Sequence, residues 1–219
     1  MKHIINEGTK IHMKKVLISG FDAFGGDVQN ASEEIVKRLP QQIGTLKICA
    51  CVLPTEAEAS VQILKAKIKS WNPDYVVNLG LAKGRKAISI ERIAINIDDF
   101  SIPDNAGKQY IDTKIEAHGA DGYFSNLSIK ALLKKMQEAG YPVYISNTAG
   151  TFVCNHVMYA MQFLAHTTYP HLKTGFIHVP DMDDTKENGL PLEEMVSAIQ
   201  CLLSHLEEKE IAVESGTLW

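Results

Sequence analysis

The chain has 219 residues, 45% hydrophobic and 22% charged, with a formal net charge of −4. That suffices for a substantial core in one domain, and no basic cluster of the kind that tracks phosphate backbones is present, so nucleic acid is not an expected partner. A membrane is not expected either: before Met13 the apolar run is Ile4-Ile5, too short for a signal-peptide core or a spanning helix. Residues 1–12 read as a loose extension and 13–219 as a single domain, and Met13 could itself be the natural start.

Strand and helix signals then alternate. Lys14 to Gly20 is a short apolar run closed by glycine, as in a parallel strand buried on both faces. The loop Phe21 to Gly26 follows, and Ser32 to Leu39 reads as a helix with Ile35, Val36 and Leu39 inward. The loop lacks both glycine fingerprints of nucleotide-phosphate cradles. Its two rings, Phe21 and Phe24, either fold back onto the core or have something else to pack on them. Lys47 to Leu53 is the next strand, ended by Pro54. A capping box, Thr55-Glu56-Ala57-Glu58, opens a helix with Val61, Leu64, Ile68 and Trp71 on one stripe, and Asn72-Pro73 stops it. Asp74 to Leu79 is another apolar run, leading into Gly80 to Arg85.

From Ile88 to Ile97 apolar and polar residues alternate, but the isoleucines occupy even positions up to Ile90 and odd positions from Ile93. A bulge or break at Glu91-Arg92 explains the phase change, and it puts two charges at an irregularity, either as a surface ion pair or facing a site. Asp98 to Tyr123 has no sustained period and reads as a long surface excursion. Leu127 to Ala139 is a helix, Tyr141 to Asn147 a strand, and about Val153 to His166 a further helix. Lys173 to Val179 is the last strand, and Leu190 to Leu206 a closing helix. The succession implies a mostly parallel twisted sheet with helices on both faces, whose sites collect where strands carry loops into helices.

Four cysteines do not make a disulfide framework in a chain of this length. Cys49 and Cys51 share a strand face and Cys201 sits in a helical apolar pattern, so these three read as buried thiols. No Cys-x-x-Cys or His-x-x-x-His pair has zinc spacing. Cys154 is different, because a polar loop, Asn147 to Thr151, delivers it to the first turn of a helix, where the dipole favours a thiolate. The strand before that helix and the strand after it are expected to be parallel and close in the sheet. Cys154 would then share an edge with His178, the pairing a cysteine nucleophile needs with its base. His156, two residues on, should point away. The group that orients His178 is left among Glu91, Asp98, Asp99, Asp181 and Asp183, with Glu91 best placed.

Five stretches occur in order: Gly20 to Gly26, Ile90 to Asn96, Ile102 to Asn105, Ala149 to His156, and Gly175 to Pro180. Through them the chain resembles the pyroglutamyl peptidase type I (pyrrolidone carboxyl peptidase) family of cysteine peptidases. The resemblance implies a three-layer α/β/α sandwich like that of the purine nucleoside phosphorylases, assembled as a cytoplasmic homotetramer without metal or cofactor. It implies peptides with N-terminal pyroglutamate as substrates, and a triad of Cys154 as nucleophile, His178 as base and acid, and Glu91 as its orienting carboxylate. It further implies that Phe21, Phe24 and Phe152 hold the flat lactam ring, with the backbone near Leu81, the side chain of Asn30 and Arg85 at matching positions.

This sequence departs from the family where Ala23 and Ala31 replace prolines, where Leu81 and Lys83 replace glutamine and glycine, and at Asp181 to Asp184. Two alternatives follow: a related amidase of altered specificity, or a catalytically silent ligand binder, against which the intact Cys154, His178 and Glu91 argue.

Overall fold

In chain order the elements are β1 (Lys14–Phe21), α1 (Ala31–Arg38), β2 (Gln42–Ile43), β3 (Leu46–Leu53), α2 (Ala57–Trp71), β4 (Tyr75–Leu81), β5 (Ile88–Glu91) and β6 (Ile93–Ile95). They continue with β7 (Gly122–Phe124), α3 (Ile129–Glu138), β8 (Val143–Ser146), α4 (Val153–Thr167), β9 (Lys173–Val179), β10 (Asp181–Met182), β11 (Gly189–Leu190) and α5 (Leu192–Ser204). The structure, a computed structural model, describes residues 13–185 and 187–216, so the extension expected over 1–12 lies outside the described residues.

Seven strands form the main sheet in the order β2-β3-β1-β4-β9-β5-β8. Its centre consists of apolar runs such as Val16 to Ile18 and Tyr75 to Val77, buried because both sheet faces are covered. One core joins the sheet to α1, α3 and α5 through residues such as Ile35, Leu132 and Ile199; the other joins the opposite face to α2 and α4 through Leu64, Val157 and Met161. The result is an α/β/α arrangement with a mostly parallel sheet. Gly20 is required at the tip of β1, because any side chain there would collide with the Ser32 carbonyl in the first turn of α1.

Strand directions correct one expectation. β5 is parallel to β8 but antiparallel to β9, so β8 and β9 are antiparallel and separated by β5. The loop 147–152 intervenes before α4 starts, and α4 then runs back along β9, where the Gln162 amide donates to the Thr174 carbonyl at 2.7 Å. The handedness rule for parallel crossovers therefore does not apply to this unit.

Three smaller differences concern α2, the excursion and the thiols. Thr55 does not cap α2: its hydroxyl donates to the Asp22 carbonyl at 2.9 Å. The carboxylate at the helix start comes instead from Asp104, which accepts from Ala57 N at 3.2 Å. The excursion after Asp98 is not purely superficial, since Phe100 and Asp104 are buried and Gly122–Phe124 pairs with β6. Cys49, Cys51 and Cys201 are half-buried and, like Cys154, free. At the expected break, Arg92 lies between β5 and β6; its N–H donates to Ser146 O and its carbonyl accepts from Ser125 N, both at 2.8 Å.

Candidate active site

The face of the sheet beneath α2 and α4 carries an ordered row of side chains. Pleating puts Ser89 and Glu91 on one face of β5, and Phe176 and His178 on the same face of β9, with Ser89 opposite His178 in register. His178 Nδ1 lies 2.8 Å from Glu91 Oε1, and the two side chains are 5% and 0% exposed. Arg85 reaches the same carboxylate oxygen, its Nη1 donating at 2.6 Å and also to the Ser89 hydroxyl. Its other nitrogen donates to Thr148 O at 3.3 Å, which ties this cluster to the loop before α4. Burial would raise the Glu91 pKa, but the hydrogen bond and charge of His178, with help from Ser146 and Arg85, outweigh it and hold the carboxyl below its usual range.

Cys154 is the second residue of α4. A side chain at position 80 would put its Cβ 2.8 Å from Cys154 Sγ and 2.8 Å from the Phe176 ring. Gly80 is the register partner of His178, so the absence of a side chain there admits the sulfur to the sheet face beside the histidine strand. The thiol pKa is pushed up to about 12, first by burial and then by the Glu91 charge, with Arg85 opposing. Burial and the Glu91 charge thus work against the thiolate expected from the start of a helix. The first intrahelical bond runs from His156 N to Phe152 O at 3.1 Å, leaving the N–H groups of Cys154 and Asn155 ahead of it.

The aromatic residues divide. Phe21 is 2% exposed and stacks on Phe176, centroids 6.3 Å apart, while Phe176 lies 4.9 Å from the His178 ring. Phe24 and Phe152 are half-buried and face one another at 5.9 Å. Phe100, from the excursion, meets Phe152 edge-on at 4.6 Å and Tyr110 at 5.3 Å. Register between β1 and β4 stops at Ser19 opposite Asn78, although the strands continue to Phe21 and Leu81. The strand ends thus part, with the Phe21 to Gly26 loop on one side and Leu81 on the other. A cleft of about 290 Å³ beside them is bounded by Asp27, Val28, Leu81 and Lys83. Lys83 pairs with Asp27 and lies 5.7 Å over the Phe24 ring.

Asn30 and Arg85 each have defined partners within the fold. The Asn30 side chain is a helix cap, accepting from Ser32 N at 3.0 Å and from the Ser32 hydroxyl at 2.8 Å while donating to Asp22 O at 2.9 Å. At 1% exposure it is committed to holding the first loop. Arg85 is joined to the carboxylate of Glu91 rather than to the rings. Among the rival acids, Asp98 pairs with His156 at 2.7 Å, which is where that histidine points. Asp181 accepts from Gly84 N at 3.3 Å, Asp183 from Thr185 N at 2.8 Å, and Asp99 meets Thr151 through its backbone. Sequence reasoning gave no task to Ser89, Phe176 or Phe100. The period of two along the strands leading to Glu91 and His178 points to the first pair; no local signal marks Phe100. Among the described residues no group of three or more His, Cys, Asp or Glu could hold a metal ion, and no helix is long and apolar enough to cross a membrane.

Known proteins resemble this chain in sequence and fold over most of its length. A family model described as "Pyroglutamyl peptidase" matches residues 14–207. The pyrrolidone-carboxylate peptidase of Fusobacterium nucleatum is 50% identical over 168 residues, 77% of this chain and 78% of that protein. That of Lactobacillus helveticus is 45% identical over 189 residues, 84% and 94% of the two chains. Among solved structures, pyroglutamyl peptidase I from Bacillus amyloliquefaciens superposes with a TM-score of 0.88 at 36% identity, covering 94% of this chain and all (100%) of that one. Pyrrolidone carboxyl peptidase from Thermococcus litoralis gives 0.85 at 39% identity over 92% and 100%. With Cys154, His178 and Glu91 all inside the matched region, the chain belongs to the pyroglutamyl peptidase family.

Proposed function

We propose that this protein is a cysteine exopeptidase that hydrolyses the amide bond after an N-terminal pyroglutamyl residue through a thioester on Cys154. The observation that carries the reading is the buried His178–Glu91 bond of 2.8 Å beside the glycine notch that admits the Cys154 sulfur. With Nδ1 engaged by the carboxylate, Nε2 is the ring nitrogen left for proton transfer. Because the thiol is neutral at rest, His178 takes its proton as the sulfur attacks the pyroglutamyl carbonyl carbon. The carbonyl oxygen becomes an oxyanion, stabilised by the free N–H groups at the start of α4. His178 then returns the proton to the leaving amine, the C–N bond breaks, and the thioester remains. Water, deprotonated by the same imidazole, attacks the thioester and releases pyroglutamate, and the thiol regains its proton. Glu91 holds the ring and stabilises the transient imidazolium; Arg85, itself bonded to the Ser89 hydroxyl, holds Glu91.

In this reading the lactam ring lies against Phe24 and Phe152, with Phe21 behind through Phe176 and the backbone near Leu81 addressing its polar atoms. Asn30 contributes by fixing the loop that carries Phe24. We also infer from the family resemblance a cytoplasmic homotetramer, with 13–219 as the single catalytic domain and 1–12 as an extension. Sedimentation as a monomer at working concentration would contradict the assembly. The activity is tested with fluorogenic pyroglutamyl, prolyl and alanyl amides. The reading expects turnover of the pyroglutamyl amide alone, lost in Cys154→Ala; no turnover by folded wild type sinks it, and preference for another amide points to altered specificity instead.

A further inference from the structure

The family match ends at residue 207, yet the chain beyond it is bound to the body of the protein at three successive points. Helix α3 has no side-chain cap of its own from Ser128. Glu210 supplies one from the tail, its carboxylate accepting from Lys130 N at 3.1 Å and from Ala131 N at 3.0 Å, where the helix dipole favours negative charge. Next, Lys130 Nζ donates to Val213 O at 2.7 Å. Finally, Arg92 Nη2 donates to the carbonyl and the hydroxyl of Ser215, both at 3.4 Å. Residues 211–216 alternate between half-buried and exposed, with Ile211, Val213 and Ser215 toward the body, so the segment lies as an extended strap.

What the strap grips is not remote from the chemistry. Arg92 follows Glu91 at the break between β5 and β6, and its Nε donates to Asn147 Oδ1 at 2.8 Å. Asn147 opens the loop that ends at the nucleophile helix, and the next residue's carbonyl accepts from Arg85. One guanidinium therefore bridges the tail to the root of the nucleophile loop, immediately beside the buried acid. Its planar fork can hold both partners at once, which a lysine ammonium on a flexible stem does less well.

We propose that Arg92 is a positioning residue for Cys154, and that the C-terminal strap of Glu210 to Ser215 holds it in place. This rests on the reading of Cys154 as the nucleophile. Misplacement of a reacting group by an ångström costs turnover more than binding. A chain ending at Lys209 should keep its fold, judged by circular dichroism and melting, yet lose about tenfold in kcat with KM within about twofold. Arg92→Ala in the full chain should do the same, and in the shortened chain should add little, because both changes remove one linkage. The alkylation rate of Cys154 by iodoacetamide, read by peptide mapping, should change in step, and it reports the loop geometry without substrate.

A folded shortened chain with unchanged kcat and unchanged alkylation overturns the proposal, as do losses that multiply or fall entirely on KM. Should the shortened chain fail to fold, Arg92→Lys in the full chain decides: loss in kcat and altered alkylation support the strap, wild-type values sink it. Wild type without pyroglutamyl turnover would contradict the function alone; alkylation would still test the strap.

Discussion

Glu91 and His178 project from neighbouring strands, almost wholly buried and hydrogen-bonded, whereas Phe24 and Phe152 stand on loops, half-buried, and meet one another and the edges of the two cores. The first pair is held by the sheet ladder and by polar bonds that a low dielectric strengthens. The second is held by ring contacts that share about 0.5–1.5 kcal/mol each beyond area burial, and by a loop tied down through Asn30 and Thr55. The contrast suggests a division of labour: the strands keep the proton-transfer geometry rigid, and the loops shape what is bound. Changes on the strands should then strike kcat, and changes on the loops should strike KM.

The largest expected effect is at the acid. Glu91→Gln keeps the shape but removes the charge that stabilises the imidazolium, and kcat should fall about 10²–10⁴-fold with KM little changed; a loss confined to KM would break the comparison. Gly80→Ala comes next, since its Cβ meets Cys154 Sγ and the Phe176 ring at 2.8 Å. Displacement of the sulfur should lower kcat about 10²-fold, and a thermal melt should show about 1–3 kcal/mol of lost stability from overpacking. On the loop side, Phe24→Ala should raise KM about tenfold while kcat stays within about threefold, as steady-state kinetics on the pyroglutamyl amide would read.

Smallest in effect on turnover is the pH behaviour of the resting thiol. A pKa raised from 9.0 to about 12 means that the folded state holds this proton more tightly than the unfolded one, so its stabilising contribution is complete below pH 9.0 and is lost as pH rises toward 12. Alkylation of Cys154 in the free protein should accordingly climb throughout that range. A plateau near neutral pH would reveal a preformed thiolate and contradict the protonation state assigned here.

Much of the fold was legible because its elements are long and strongly patterned. The apolar runs at Val16 and Tyr75, the helical stripe of α2 and the phase change at Glu91-Arg92 are local signals, and each appears in the structure where the pattern put it. Strand direction was not legible: nothing local in Ile88 to Glu91 says that it runs against β9, and only packing decides it. The caps of α2 and α3 come from Asp104 and Glu210, 47 and 79 residues away from the groups they bind, beyond any local motif. In the site, Cys154 and His178 were found by chemistry and meet toward the C-terminal end of β9, yet β8 does not run parallel to β9 as inferred, and the loop 147–152 carries the cysteine there. Phe100 escaped notice because its place depends on which loop folds over which ring, whereas the Asn30 cap, two residues from the groups it binds, is a local signal. The opposing influences on the thiol divide in the same way: the dipole of α4 is local, whereas the burial and the Glu91 charge that raise its pKa are tertiary.

The central claim is that Cys154 carries the acyl group during turnover. Wild-type protein turning over a pyroglutamyl amide, quenched in acid and digested, should yield the peptide containing Cys154 bearing a pyroglutamyl thioester, and the Cys154→Ala protein should yield none. Turnover with the acyl group on Cys49, Cys51 or Cys201, or undiminished turnover by Cys154→Ala, would contradict the account.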